Sequence, residues 1–534
     1  MTRLLRIALA RLRTEGPLGL LALAVSAVSL TYPVGPDQGL FFYTSREWLL
    51  RGRVPYKDVL DHKWPFIYVI HGATIALFGQ ESWGMRLAEL LLVPVAAYLG
   101  ARLVAARGRP IPDGAIGAAW LGTTIFYYGW FDFWDTGQCE IWYATLSLAS
   151  VVVVLRAPVL RRSHLAAAGA LLGCACLIKP TAVWFGLLAM GGLVLRVRSE
   201  KRGSASAREP LEALAVYAAG GVLVGLLMLG YFAARGAVGA MIDVLVGANS
   251  YYIAHETGAR TAQEFFRQSL FAFRRFLPMS TLFFVGTIGA SIVGLVRRSP
   301  DLTKRYALPL AFAVASLLTV AVQLKFYQLH WGTMVPAAAI AGATLYGELV
   351  RLVASRSVRG WAPSTLFAAA AAALLWQSGD RGYWWDSNVR AYRRFVAGTM
   401  PEGEYEASFD RPEMYFYNGD AHRIASWMRH ELREGDTVAV RGFEAHFYSI
   451  CHCRYSGRFY WTAFLIAPTR AYHRAEWTAE DVAEIAQHPP RFVVTPSYAH
   501  EDVESAEFFE ARGYRRNPFV STPAFVVLER GSPP

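Results

Sequence analysis

Between two long apolar runs the chain reads Asp37-Gln38-Gly39-Leu40-Phe41-Phe42-Tyr43, then Arg51-Gly52-Arg53-Val54-Pro55-Tyr56, then Asp61-His62-Lys63-Trp64-Pro65. Whether the next apolar run, 64–79, crosses lipid decides the topology of everything after it. At about 1.5 Å per residue it reaches about 24 Å, short of the roughly 30 Å hydrocarbon core. Counting it as a span would also put the arginines of 102–109 on the opposite side from those of 3–13. It is therefore expected to lie flat at the outer interface as a juxtamembrane helix. Leu40–Leu50, with Phe41 and Trp48 on either side of Arg46 and Glu47, reads as a second one.

Working outward, 54% of the 534 residues are hydrophobic, 14% aromatic and 18% charged, with a mean hydropathy of +0.26. A soluble protein carries about a quarter charged residues, so the composition is that of a polytopic membrane protein. The net charge of +12 raises nucleic acid as a partner. The arginines, however, fall in short clusters between apolar runs, which is the positive-inside pattern and not a nucleic-acid surface. The five cysteines show neither zinc-finger spacing nor a disulfide framework.

Runs long enough to cross lipid lie near 17–35, 83–106, 112–131, 137–155, 163–178, 181–195, 212–234, 279–296, 307–324, 331–350 and 361–377, about eleven in all. The first follows Arg3, Arg6, Arg11 and Arg13 without a small-residue cleavage site, so it reads as an uncleaved span. Basic clusters at 3–13, 102–109, 156–162, 196–208, 297–305 and 351–359 recur at every second loop. They belong on the cytoplasmic side, which sends 36–82, 132–136, 179–180, 235–278, 325–330 and the tail after 378 outward. Within 235–278, Thr261–Phe273 reads as another surface helix. Residues 1–377 thus form the membrane domain and 378–534 a soluble one. In the latter, strands are expected at Thr437–Arg441, Arg491–Thr495 and Phe525–Glu529, and helices at Asp420–Glu431, Glu480–Gln487 and Val503–Arg512. That alternation describes a small α/β layer.

Charged residues collect on the outer side. Asp37 fits a general base whose partial desolvation raises its pKa, and equally a carboxylate that starts the following helix. Lys63 and His62, beside Asp61, fit an anionic lipid headgroup, and Lys63 also fits interfacial snorkelling. Asp132 and Asp135 read as a solvated loop, whereas Glu140, at the mouth of a span, should face the protein interior. Lys179 and the run Lys325-Phe326-Tyr327 with His330 break the positive-inside pattern, and so do Arg274 and Arg275. A phosphate or lipid headgroups would account for cations there. Cys451-His452-Cys453 supplies three soft ligands in an awkward geometry, so a local disulfide is the alternative to a metal and no metal site is expected.

With these residues in order, the chain resembles the polyprenyl-phosphate-sugar glycosyltransferases of the protein mannosyltransferase and aminoarabinose transferase type. The resemblance rests on Asp37 after the first span, the run Arg51–Asp58, then Asp61–Pro65, Glu140, Lys179-Pro180 and Lys325–Tyr327 with His330. In the tail it rests on Ile424–Arg429, Gly435–Val438 and Gly442–Glu444. It implies the GT-C fold and a lipid-phosphate-linked sugar donor used on the outer face. It implies Asp37 as the catalytic acid, with Glu140 and Asp61 in the same centre, and Lys63 at the donor phosphate. Transfer would be by direct displacement with inversion. The family commonly has a second acid after the first, and here Gln38 stands in that place, so transfer without a divalent metal is expected. If a metal is used, Asp37 and Glu140 are its expected ligands. Two other classes fit the same residues: a transporter or flippase of lipid-linked sugars, and a non-enzymatic scaffold of the cell envelope. A transporter would place its site near the bilayer midplane, whereas here the charges gather at one face.

Overall fold

The computed structural model describes residues 2–200, 206, 208–256, 261, 263–267, 270, 296, 300–354, 362–378, 389–467, 470, 472–499 and 502–531. The chain is mostly helical, and among the described residues six helices are long and apolar enough to cross a membrane: Thr14–Thr31, Ser82–Val104, Cys139–Arg156, Pro180–Glu200, Arg208–Ala234 and Gln328–Val353. Each coincides with an expected span. Three other expected spans, 163–178, 307–324 and 361–377, appear as shorter apolar helices, Arg162–Ile178, Ala307–Ala321 and Ala362–Trp376. The run 112–131 carries a helix at Ala115–Tyr128. The run 279–296 and the helix expected over Thr261–Phe273 lie wholly or largely outside the described residues.

We number the first helices α1 (Thr2–Ser26), α2 (Pro36–Arg51), α3 (Phe66–Phe78), α4 (Ser82–Val104), α5 (Ala115–Tyr128), α6 (Cys139–Arg156), α7 (Arg162–Ile178), α8 (Val183–Glu200) and α9 (Arg208–Ala234). The chain forms two compact units, each discontinuous in sequence: residues 1–30, 87–228 and 258–388, and residues 31–86, 229–257 and 389–534.

In the first unit, α5 packs against α1 and against the helix Val335–Ala354, and α6 packs against α7 and α8. The core joins Leu18, Ala22, Ile125, Phe126, Trp331, Val335 and Phe367. Alternation of small with aromatic side chains lets helices approach closely where lipid supplies no hydrophobic drive between them.

The second unit holds the small α/β layer, a four-stranded sheet in the order β1-β2-β4-β3. Its strands are β1 (Val438–Val440), β2 (Phe492–Pro496), β3 (Tyr514–Arg516) and β4 (Phe525–Arg530). β1 and β2 are parallel, with Val440 opposite Val494, and β2 and β4 are antiparallel, with Val494 opposite Val527. Every residue of β1 and β2 is buried, as the continuous apolar runs dictate. The helix Asn418–Glu431 buries Ala421, Ile424, Ala425 and Met428, one face at helical spacing, and its Trp427 ring meets Phe492 of β2. Arg474–Gln487 starts six residues before the expected Glu480, because the buried Trp477 belongs to it. The helix expected at Val503–Arg512 is broken: Ser505 leaves helical geometry and its side chain caps a new helix at Phe508 N, 3.2 Å away.

The sequence reading of α2 as a surface helix needs correction. Arg46 and Glu47, which should meet water, are 1% and 0% exposed. Arg46 donates to Tyr448 O at 2.9 Å and to Cys453 O, and Glu47 gathers Arg46, Arg51 and Arg53. Buried charge survives only when paired and hydrogen-bonded, and the loop 448–453 supplies those partners. Cys451 and Cys453 in that loop are joined by a disulfide.

Candidate active site

Each unit holds part of the outer-side charge that the sequence singles out. In the second unit α2 begins after an extended Gly35, with Pro36 in the first turn and Asp37 beside it. Proline is tolerated there because its missing N–H would have no helical partner, and a carboxylate there complements the helix dipole. Lys63 Nζ lies 3.2 Å from Asp37 Oδ1, both side chains being 24% exposed. Lys63 Nζ also lies over the Phe41 ring, 5.6 Å from its centre. The Lys63 carbonyl accepts from Tyr56 Oη at 2.7 Å and from Tyr68 Oη at 3.3 Å, which fixes the backbone beneath the cation.

Asp37 is held in place from behind. A β-carbon built at Gly39 would stand 2.6 Å from the backbone nitrogen of His446, so only glycine lets α2 meet that loop.

Burial pushes the Asp37 carboxyl up, but Lys63, by charge and by hydrogen bond, with Arg470 adding to it, outweighs that and holds Asp37 below the ordinary carboxylate range. The sequence reading has the pKa raised by desolvation. The neighbouring cation reverses the sign.

Asp61 is fully buried. It accepts from Tyr68 Oη at 2.8 Å and from the His62 backbone N–H at 2.7 Å, and His62 Nδ1 lies 3.1 Å from it. Burial, with Lys63 beside it, pushes the His62 imidazole down to about 4 against the opposing pull of Asp61. That favours the neutral imidazole, which can meet an anionic headgroup as a hydrogen-bond donor but not as a cation. Asn249 Nδ2 donates to the His62 carbonyl at 3.0 Å, and the rings of Tyr252, Trp461 and Phe464 surround the imidazole.

Two groups here escape the sequence reading. Arg470 comes from the tail, lies over Tyr252, Phe443 and Trp461, and donates to Tyr252 Oη at 3.2 Å. Nothing local marks it among the many arginines of the tail. Tyr68 is the buried partner of Asp61, on an apolar helix where its hydroxyl is the only hint.

In the first unit Glu140, 2% exposed, lies 2.5 Å from Lys179 Nζ. The sequence reading asks why Lys179 stands outside, and this buried carboxylate is one reason. The segment Gln328–Met334 passes close by, since a β-carbon at Gly332 would stand 2.9 Å from Glu140 Cβ. His330 is buried in that segment, and half-buried Lys325 precedes it between Leu324 and Phe326, whose φ angles are +56° and +50°. Two bulky residues in left-handed geometry store local strain, which tends to gather at functional sites. Glu89 also escapes the sequence reading, although an acid within an apolar run is a signal. It is fully buried in α4 and accepts from Tyr127 Oη and Gly137 N. Asp132 caps its own loop through Trp134 N at 2.8 Å and Asp135 N at 3.2 Å. Arg274 and Arg275 lie outside the described residues.

Apolar spans and a small α/β layer define a multi-pass membrane protein with the GT-C fold. Among solved structures the chain is similar to ArnT from Cupriavidus metallidurans bound to undecaprenyl phosphate. The TM-score is 0.58 at 15% identity, over 96% of this chain and 97% of that one. The apo state of the same protein matches with a TM-score of 0.56 at 15% identity, over 96% of each chain. The oligosaccharyltransferase AglB from Archaeoglobus fulgidus matches with a TM-score of 0.44 at 10% identity, over 89% of this chain and 69% of that one. No protein-family model and no curated protein matches the chain.

Proposed function

We propose that the protein is an integral membrane glycosyltransferase. It moves a sugar from a polyprenyl-phosphate donor to an acceptor hydroxyl at the outer face of the cytoplasmic membrane. The observation that carries this reading is the Asp37–Lys63 pair, 3.2 Å apart at the start of α2. The undecaprenyl phosphate bound to the ArnT of the same fold supports a lipid-phosphate donor.

The acceptor oxygen attacks the anomeric carbon from the side opposite the phosphate. The C–O bond to the acceptor forms as the bond to the phosphate oxygen breaks, with inversion. The acceptor proton passes to Asp37, and the bonding pair leaves with the polyprenyl phosphate, whose charge Lys63 stabilises. One cation then serves two anions. A donor phosphate at Lys63 draws the ammonium partly away from Asp37 and adds negative charge beside it. Both effects raise the proton affinity of Asp37 when a base is needed. Asp61, with both oxygens engaged, orients the Lys63 segment, and Glu140 does the same for Lys179. Lys179, Lys325, Arg274 and Arg275 are further candidates for the donor phosphate.

We propose transfer without a metal. Gln38 stands where the resemblance leads one to expect a second acid, and the Asp37 carboxylate is paired with Lys63. In this proposal the N-terminus lies in the cytoplasm and residues 378–534 outside it. The arginine clusters support this orientation, as does the Cys451–Cys453 disulfide, since such bonds persist in oxidising compartments.

The test is transfer of labelled sugar from a polyprenyl phosphate to a cell-envelope extract by the purified protein in detergent. Asp37→Asn should lose transfer by about two to four orders of magnitude while its elution volume and thermal unfolding stay unchanged. Undiminished transfer by that variant would remove Asp37 from the chemistry. Transport of the lipid-linked sugar in vesicles without transfer would replace the enzyme with a transporter.

A further inference from the structure

At the other end of the spans is a feature that glycosyl transfer does not use. A cavity of about 760 Å³ runs along α6, α8 and the helix Pro300–Ala321. It is lined by Leu155, Leu187, Leu195, Leu308 and Gly191 and, among them, by Arg107, Arg156 and Arg196. Leu187 and Leu195 are 49% and 70% exposed, so the apolar lining is open at the surface of the bundle.

The arginines stand at or near helix ends. Arg156 Nε donates to Leu103 O at 2.8 Å, and Arg102 Nη2 donates to Arg156 O at 3.4 Å. Arg196, 5% exposed, donates to Val154 O at 2.5 Å and to Ala157 O at 2.7 Å. Those contacts hold the guanidinium groups in place and complement the helix C-termini. They do not balance the charge. Among the described residues the carboxylate paired with the cluster is Glu200, which meets Arg196 at 2.9 Å and also Arg107. Four guanidinium groups against one carboxylate leave three positive charges beside the apolar lining of this trough.

We propose that this trough is a binding site for one anionic phospholipid. An acyl chain lies over Gly191 and the leucines, and the headgroup phosphate sits on Arg107 and Arg156. The pairing of parts decides the class of ligand. A soluble anion would use the arginines and leave the apolar lining bare. A zwitterionic lipid would use the lining and place its own cation beside the arginines. The cavity is of the size that takes a substantial part of a lipid-sized ligand, and each juxtamembrane arginine adds to anionic-lipid attraction.

The experiment is native mass spectrometry of the full chain in detergent, titrated with dioleoylphosphatidylglycerol, with dioleoylphosphatidylcholine and inorganic phosphate as comparators. Phosphatidylglycerol should bind roughly tenfold tighter than phosphatidylcholine. Arg107→Gln should weaken phosphatidylglycerol by about fivefold and leave phosphatidylcholine unchanged. A β-carbon at Gly191 meets nothing within 4 Å, so Gly191→Phe fills the trough without straining the fold. It should remove most phosphatidylglycerol binding while thermal unfolding stays as in the parent. Equal binding of the two lipids, full binding by Gly191→Phe, or displacement of the lipid by inorganic phosphate at equal concentration would each overturn the assignment.

Discussion

Gly39 and His446, more than four hundred residues apart, meet backbone to backbone: a β-carbon on the first would stand 2.6 Å from the nitrogen of the second. Two residues before Gly39 stands Asp37, so the loop from the tail sets where the proposed base sits. Gly39→Ala would raise helix propensity on an exposed helix by about 1 kcal/mol. Here the neighbour is backbone and has no flexible end to move aside. The expected result is a loss of about 1–3 kcal/mol in stability with a larger proportional loss of sugar transfer. Thermal unfolding and a transfer assay on the same preparation measure both, and unchanged values would show that the approach is not rigid.

Lys63→Gln tests the shared cation. Lys63 is the largest of the groups that hold Asp37 below the ordinary carboxylate range, so removing it leaves burial opposed by the smaller pull of Arg470 and the carboxyl rises. If Asp37 is the base, the acid limb of the pH profile of kcat/KM moves to higher pH, and kcat falls at every pH because the leaving phosphate loses its partner. Lys63→Arg should restore the position of the limb better than the rate, since the charge returns but the geometry does not. A limb unmoved in Lys63→Gln would mean that it reports another group.

Glu444 predicts a pH dependence of stability apart from catalysis. Burial pushes its carboxyl up to about 8, and burial pushes the His446 imidazole down to about 3. The folded state therefore holds the Glu444 proton more tightly than the unfolded chain does. Its stabilising effect is complete below the unfolded pKa and is lost as pH rises toward 8. His446 acts in the opposite sense, losing stability as pH falls from its unfolded pKa toward 3. Below about pH 6.5 the two oppose each other, and above it Glu444 acts alone. Between pH 6.5 and 8 the parent should lose roughly 2 kcal/mol, while Glu444→Gln should stay nearly level. Melting curves at half-unit pH steps distinguish the two.

Arg441 and Asp481 form a fully buried pair at 2.6 Å, with Tyr455 Oη donating to Asp481 at 2.7 Å and Glu504 lying 3.6 Å from Arg441. Arg441→Met leaves two buried carboxyls without their cation and should cost about 3–5 kcal/mol. Arg441→Met combined with Asp481→Leu should cost less than the single change, because the burial penalty of the charges goes with them. Chemical denaturation of both variants, compared with the parent, gives the answer.

The spans and the sheet were open to reading because their signals are local. An apolar run long enough to cross lipid reads as a span, and Val438–Val440, Phe492–Pro496 and residues 525–528 carry the apolar and β-branched residues that suit a buried sheet. β3 was not open to reading, since Tyr514-Arg515-Arg516 is a three-residue edge strand whose arginines stay exposed. Its pairing with β4 defines it.

Charge spacing likewise predicts on which side of the lipid acids and cations lie, because the membrane sorts them by side whatever their later partners. Which of them meet is a different matter, decided when distant segments pack. Lys63 reverses the pKa shift of Asp37, burial favours the neutral form of His62, Arg470 arrives from the tail, and Glu140 takes Lys179. A side chain's charge state depends on what lies within a few ångströms in space, and sequence distance carries no record of that.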